Sequence, residues 1–549
     1  MNILGISGGL GHDSSAALVI NGELVSYAEE ERFVRQKHAP CIPPVYSVLH
    51  CLNQSGMEMN EIDYIALSWD PEKVADLSLE YSLGIHPVFY KGLPEFISVD
   101  HHMSHAAAAY YTSGFNEATI LTVDGQGEDA ATSIYHAKGS EIDRIDAYAV
   151  DQSIGYFYTA VTSFLGLGDF GEGKLMGLAA YGEPVYEFPI ELNSKGYQFT
   201  NFQNVRQLKV GNQYPMCRDK WYKYLMKLVG MKPYYEYKSN SFTGLRPQIE
   251  YEQKYKNLAS SAQQAIERII VHLAEISIAK TGCNNLIVAG GVGLNCNTNT
   301  LLEQQPWVEQ LFVLPATNDG GASIGSAFKL YANLTNHNAY IRLQTPYMGS
   351  SFSNNQIKEV LHHCNLTYNY SDDIAKIAAD FIANGKVIGW FQGKSEMGPR
   401  ALGNRSIVAD ATTREQFNRV NQKIKYRESW RPLAPSILND YKEHVLIDPS
   451  TSCYMLKTFY LNNEYVRKTP AISHIDASTR PQIVAKDDNP LWYALINEYY
   501  NKTGIPLVVN TSLNVGNEPI CDTPLDCIRS FYSSNLDAII MGNYYLVKK

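Results

Sequence analysis

Apolar residues near the N-terminus fall into short blocks, Ile3 to Ile6, Ser15 to Ile20 and a third to about Ala28, separated by turn-forming residues. A Gly-rich turn from Gly8 to His12 and the Asn21-Gly22 pair between these blocks predict three strands in an antiparallel meander. The pattern returns later. Ile120 to Val123 leads into the turn Asp124-Gly125-Gln126-Gly127, and Ala131 to Tyr135 follows it, so the two arms look like an internal duplication. Facing hairpins with glycine turns suit a phosphate-clasping cleft between duplicated α/β lobes, because glycine lets backbone N–H groups approach phosphate oxygens closely. That reading makes Gly125 and Gly127 candidate nucleotide contacts. Apolar positions 258, 262, 265, 266, 269, 270, 273 and 276 share one helical face, with a stop at Gly282, and predict a long helix over 258–280. A buried strand, Leu286 to Ala289, comes next and ends in the turn GGVGLNCN, which adds Gly290, Gly291 and Asn295 to the nucleotide-contact candidates.

Periodicity is weak over residues 183–257, which are rich in Tyr, Asn and Lys and read as an insertion able to cap a pocket. The helix-strand rhythm lapses again at LQTPYMGSSFSNN, so a domain boundary is expected there, giving domains 1–345 and 346–549. A chain of 549 residues with 45% hydrophobic and 19% charged positions is long enough for several well-cored domains and is not a disordered sequence. Its net charge of −10 is the wrong sign for a protein that coats nucleic acid. Nine cysteines without a CxxC pair argue against a disulfide framework or thiolate zinc site. With no signal-like N-terminus and no run of eighteen apolar residues, a cytoplasmic protein without membrane partners is expected.

Two groups of residues carry chemistry. In DHHMSHAA, His101 and His105 lie four apart at the start of an alanine-rich helical stretch, so both imidazoles project from one face, whereas His102 points elsewhere. Asp124 and Asp319 stand in glycine-flanked turns and would complete a two-His, two-Asp set suited to iron, manganese or zinc. Each aspartate alone also suits an Asx turn or a helix N-cap. The second group is cationic: residues 386–431 hold ten basic and four acidic side chains, a local +6 in an acidic chain. Arg400 and Arg405 lie among Gly and Pro residues, off any periodic helix face, and read as converging on a polyphosphate. Arg480, on a candidate strand, and the Asn510-Thr511-Ser512 strand end add donors for phosphate or nucleotide. Ser512 lacks a G-x-S-x-G frame and is not read as a hydrolase nucleophile.

Taken in order, GHDSSAALV, EEERFVRQKH, DHHMSHAA, DGQGE, GEGKLMGLAAYG, AGGVGLNCN, EMGPRALGNRSI, YRESWRPLAPS and NTSLNVGNEPI resemble the O-carbamoyltransferase family, which includes the nodulation carbamoyltransferases and the cephamycin- and tobramycin-type tailoring enzymes. The resemblance covers essentially the whole chain. It implies an α/β protein with a duplicated actin/Hsp70-like ATP-binding domain, then a YrdC-like α/β domain that makes carbamoyl-adenylate from carbamoyl phosphate and ATP. The carbamoyl group would then pass to a hydroxyl of a small natural-product or sugar acceptor. By motif, His101, His105, Asp124 and Asp319 match the family's metal ligands, usually for Fe2+. Lys425, Arg400, Arg431, Arg480 and Ser512 match its carbamoyl-phosphate and ATP site, and His12 and Lys37 match residues near transfer. His12, beside Asp13 in the first glycine turn, is placed to accept the hydroxyl proton. A homodimer is compatible with this reading, and no nucleic-acid partner is expected. The alternatives are a threonylcarbamoyl-type tRNA-modifying transferase, disfavoured by the charge, and a non-catalytic ATP-dependent sensor or chaperone, which leaves the basic second domain unexplained.

Overall fold

The computed structural model describes residues 1–9, 11–70, 73, 94–200, 213–234, 250–335 and 342–548. The chain divides into two compact units; the first comprises Met1–Val34, His38–Asn240 and Tyr251–Gln344, and the second holds Thr345–Lys549 together with Arg35–Lys37. Among the described residues no helix is long and apolar enough to cross a membrane.

The first unit contains two five-stranded sheets of the same topology. In one, the antiparallel run Glu23–Glu29, Ser15–Ile20, Asn2–Ser7 continues through the parallel neighbours Tyr64–Leu67 and Glu95–Ser98. In the other, Glu141–Tyr148, Thr132–Lys138 and Glu117–Val123 form the antiparallel run, and Asn285–Ala289 and Gln310–Phe312 are the parallel pair. The duplication expected from the two glycine-turn arms is therefore present in strand order. Leu4, Ile6, Leu18, Val48 and Ile65 form part of the core on the first sheet.

Two helices hold these layers together. The His101–Ser113 helix starts where the Asp100 carboxylate accepts the Met103 N–H, and ends at Gly114 with φ 78°. The Asp319–Thr335 helix packs against it and against the first strand, at glycine contacts too tight for any side chain. A Cβ on Gly325 would lie 1.7 Å from the Ser104 carbonyl oxygen, and one on Gly5 1.9 Å from that of Ser323. The long helix spans Gln253–Thr281 and ends at Gly282 with φ 72°. Of the expected capping insertion, residues 201–212 and 235–249 lie outside the described residues. The rest includes the hairpin Ile190–Asn193 with Gly196–Phe199 and the helix Gln213–Val229, whose Trp221 packs on Phe157 and Phe199.

The second unit is built on an eight-stranded mixed sheet, with Ile388–Phe391, Arg405–Ala409, Leu507–Ser512 and Ala434–Leu438 at its centre. Its core gathers Trp390, Ile407, Leu438, Trp492, Val508 and Ile540.

Candidate active site

His101 and His105 lie one turn apart at the start of one helix and Asp319 opens the other, while Asp124 follows directly on the strand Glu117–Val123. Convergence of these three ends explains how residues more than two hundred positions apart meet. Nε2 of His105 is 3.2 Å from Oδ2 of Asp124, 3.5 Å from Oδ1 of Asp319 and 3.2 Å from Nε2 of His101. His101 Nε2 is 3.4 Å from Asp124 and 3.7 Å from Asp319. Donor atoms ~2.1 Å from one shared cation are separated by about these distances, so the two-His, two-Asp set fits a divalent metal. Nδ1 of His101 faces the Ser68 carbonyl oxygen at 3.3 Å, an arrangement that leaves Nε2 for the cluster. Burial acts to raise the Asp124 carboxyl, but His101 and His105 hold it well below the usual carboxylate range. As expected, His102 points away: its Nδ1 meets Ser133 Oγ at 2.8 Å, and burial, reinforced by the neighbouring His101, pushes it down to about 4.

The glycine turns organise the Asp124 carboxylate. Gly125 and Gly291 donate their N–H groups to Oδ1 of Asp124, at 2.8 and 3.3 Å, and so aim Oδ2 at the imidazoles. Gly127 donates to the Ala130 carbonyl and packs on His102, whose Cδ2 would be 2.7 Å from a Cβ there. Gly290, at φ 86°, lets two strand ends approach, since a Cβ would meet the Val123 carbonyl oxygen at 2.4 Å. Asn295 is buried as the N-cap of the helix Cys296–Glu303 and exchanges hydrogen bonds with Gln263. In this structure these five positions support the Asp124 carboxylate and the packing around it.

His12 adjoins the cluster, its Nδ1 3.0 Å from Asp13 Oδ2 and 3.8 Å from Asp319 Oδ2. Burial alone would lower this imidazole, but the carboxylates of Asp319, Asp13 and Asp124 push it up to about 10. Asp13 also bonds Nδ1 of His38 at 2.8 Å. Sequence reasoning missed His38 and gave Asp13 no role.

In the second unit Lys425 is the centre of a cationic group. Residues Arg419–Ile424 wind as a π-helix, a rare form concentrated at functional sites, and Tyr426 follows at φ 47°, so Lys425 and Arg427 flank a sharp reversal. The Lys425 ammonium donates to Ser512 O (2.6 Å), Ser512 Oγ (3.1 Å), Asn514 O (3.1 Å) and Asn514 Oδ1 (2.5 Å), with no carboxylate among these partners. Burial and the charges of Arg427, Lys37 and Arg431 hold it well below the usual lysine range. Arg427 is depressed in turn by burial and by Arg431 and Arg480. Lys37 groups with the second unit, and its charge acts on Lys425. Arg480, just after the short strand Ser478–Thr479, donates to the Met455 carbonyl at 3.0 Å. Arg400 is half-buried in a loop organised by Glu396, whose Oε1 accepts the N–H groups of Leu402, Asn404 and Arg405.

Two other candidates are corrected. Arg405 is fully buried, lies 3.7 Å from the Phe391 ring centroid and donates to the carbonyls of Gln392, Asn404, Ser350 and Gly393. Asn510 is buried and donates to Ala401 O, Ser436 Oγ and Gln482 Oε1. Both are internal braces. Arg427 and Asn514, by contrast, were not singled out; the alternation Lys425-x-Arg427 and Ser512-x-Asn514 is the signal that could have found them.

The profile of the carbamoyltransferase N-terminus matches residues 2–87 and 72–328, and that of the carbamoyltransferase C-terminus matches residues 379–548. The chain belongs to the carbamoyltransferase family. Nodulation protein NolNO of Sinorhizobium fredii (strain NBRC 101917 / NGR234) is 31% identical over 589 residues, covering 100% of this carbamoyltransferase and 83% of the relative. Nodulation protein NolO of Bradyrhizobium diazoefficiens is 32% identical, covering 82% and 79% respectively. Among solved structures, T. kodakarensis HypF aligns with a TM-score of 0.34 at 14% identity, over 61% of this chain and 48% of that one. The N-terminal match includes all four His and Asp donors of the carbamoyltransferase, and the C-terminal match includes Lys425, Arg427 and Ser512.

Proposed function

We propose that this carbamoyltransferase is an ATP-dependent O-carbamoyltransferase that forms carbamoyl-adenylate in a YrdC-like second unit and transfers the carbamoyl group in an actin/Hsp70-like first unit. The observation that carries the reading is the buried Lys425 ammonium, bonded to the neutral oxygens of Ser512 and Asn514 and facing the positive charges of Arg427, Lys37 and Arg431. Such an arrangement favours an anion, because a bound phosphate offsets the positive charge gathered around the buried ammonium. Carbamoyl phosphate is hydrolysed to carbamate and phosphate, a carbamate oxygen attacks the α-phosphorus of ATP, and pyrophosphate leaves. Lys425, Arg400, Arg427, Arg431 and Arg480 offset charge on the crowded phosphates, while Ser512 and Asn514 orient the ammonium.

At the second step the acceptor is a hydroxyl of a small natural product or sugar. Its oxygen attacks the carbamoyl carbon, the proton passes to His12, which must be in its neutral form when the acceptor is bound, and AMP departs. His101, His105, Asp124 and Asp319 would hold a divalent cation, Fe2+ by family resemblance, and when bound it supplies Lewis-acid polarisation of the carbamoyl carbonyl. The test incubates the protein with ATP and carbamoyl phosphate alone, follows pyrophosphate, and analyses products by mass spectrometry. Carbamoyl-adenylate that requires both substrates supports the reading. Its absence, with ATP shown to bind, overturns it.

A further inference from the structure

We propose that Asp13 is the positioning residue of carbamoyl transfer, a carboxylate that clamps His12 and His38 as a pair and fixes the orientation of both rings. The inference rests on the carbamoyl-transfer reading and deepens it at one site. Asp13 bonds His12 Nδ1 through Oδ2 at 3.0 Å and His38 Nδ1 through Oδ1 at 2.8 Å, so one buried group orients two imidazoles. A carboxylate that accepts the Nδ1 proton fixes the ring's orientation and so the direction in which Nε2 points. His12 is the imidazole beside Asp319, and His38 is tied on three sides. Its backbone carbonyl accepts the Asp13 N–H at 2.6 Å, its own N–H donates to Glu31 Oε2 at 2.8 Å, and its ring stacks on Phe170 at 4.0 Å between centroids. The same Phe170 ring meets His12 edge-on at 4.9 Å.

The chain adopts uncommon geometry to build this arrangement. Asp13, His38, Ala39, Cys41 and Phe170 are all non-glycine residues at positive φ, and Phe170 and Cys41 are also exposed to solvent. Left-handed backbone costs energy for such residues and persists where the surroundings over-determine it, as at functional sites. Asp13, Glu31 and His38 also have donor atoms within 4.8 Å of one another, as a metal set would. Their contacts are those of hydrogen bonding, however: Glu31 is engaged by a backbone N–H, and the Asp13–His38 separation is that of an N–H···O bond.

The experiment compares wild type with Asp13→Asn and His38→Gln on the full chain loaded with Mn2+. Three quantities are read: pyrophosphate release from ATP and carbamoyl phosphate, AMP release from supplied carbamoyl-adenylate with water as acceptor, and bound Mn2+. Asparagine keeps the shape but can accept from only one of the two imidazoles. The expected result for Asp13→Asn is a fall in kcat for AMP release of about 100-fold, on the order of one lost acid–base contribution, with KM little changed. His38→Gln should show the same split to a smaller extent, with pyrophosphate release and one Mn2+ per chain retained in both. Nitrogen-15 spectra of the imidazoles should show hydrogen-bonded Nδ1–H at His12 and His38 in wild type and the loss of one in Asp13→Asn, a readout independent of turnover. Unchanged AMP release or unchanged imidazole spectra in Asp13→Asn, or a second Mn2+ bound through Asp13, would overturn the proposal. A wild type that releases no pyrophosphate would instead sink the carbamoyl-transfer reading, while the spectra would still decide whether Asp13 clamps both rings.

Discussion

Lys425 and Arg405 lie twenty positions apart in one basic segment, yet the fold gives them opposite tasks. The Lys425 ammonium is held low by burial and by neighbouring cations, so anion binding should raise it toward the ordinary lysine range. Between the free and bound values, binding must take up a proton, and affinity for inorganic phosphate should fall as pH rises through that window. Calorimetry in two buffers of different ionisation heat checks the sign; proton release on binding would contradict it. Lys425→Met should lower pyrophosphate release by at least ~100-fold through loss of phosphate charge compensation. Arg405→Met should act on stability instead, since it strips donors from three buried carbonyls and one part-buried one at a cost on the order of 3 kcal/mol. Its denaturation midpoint should drop while the folded fraction still releases pyrophosphate at the wild-type rate. Sequence spacing made the density of charge legible. It could not tell the bracing arginine from the lysine among other cations, because both are buried and their partners depend on which strands pair beside them.

At the scale of elements, the duplicated strands were readable because alternation and turn chemistry are local properties. The meander Asn2–Ser7, Ser15–Ile20, Glu23–Glu29 and its counterpart around Glu117–Val123 followed from apolar blocks and Gly or Asn turns. The pairing of His101 with His105 was also local, since both lie on one helical face. What the glycines do was not, because Gly125 and Gly291 act on Asp124 only once two strand ends are side by side. Metal affinity should therefore depend on helix packing as well as on the four donors. Gly325 provides the test, lying six positions along the helix from Asp319 and directly against Ser104, one position before His105. Gly325→Ala forces a Cβ into the Ser104 carbonyl, so the helices must separate and the Asp319 carboxylate must leave the imidazoles. We expect Mn2+ affinity to fall by about tenfold or more, with secondary structure retained by circular dichroism, as overpacking costs typically ~1–3 kcal/mol. Unaltered Mn2+ affinity in a folded variant would show that the helix pair does not set the site.

Across the whole chain, the two candidate sites fall in different compact units: the His and Asp donors with His12 and Asp13 in the first, Lys425 and its cations in the second. Different chemistry is demanded of each. Adenylate formation needs positive charge around phosphates, whereas transfer needs a polarised carbonyl and a positioned base. Neither donor set contains the other's groups, so the half-reactions should separate cleanly when one site is disabled. Metal removal with a chelator should abolish transfer from supplied carbamoyl-adenylate yet leave pyrophosphate release, measured with Mg2+ restored to carry the ATP, near its initial rate. Lys425→Met should do the reverse, losing pyrophosphate release while AMP release from supplied carbamoyl-adenylate continues. If chelation stopped both steps under restored Mg2+, or if Lys425→Met stopped AMP release, the charges of the second unit would be part of transfer itself, and the assignment of one step to each unit would have to be abandoned.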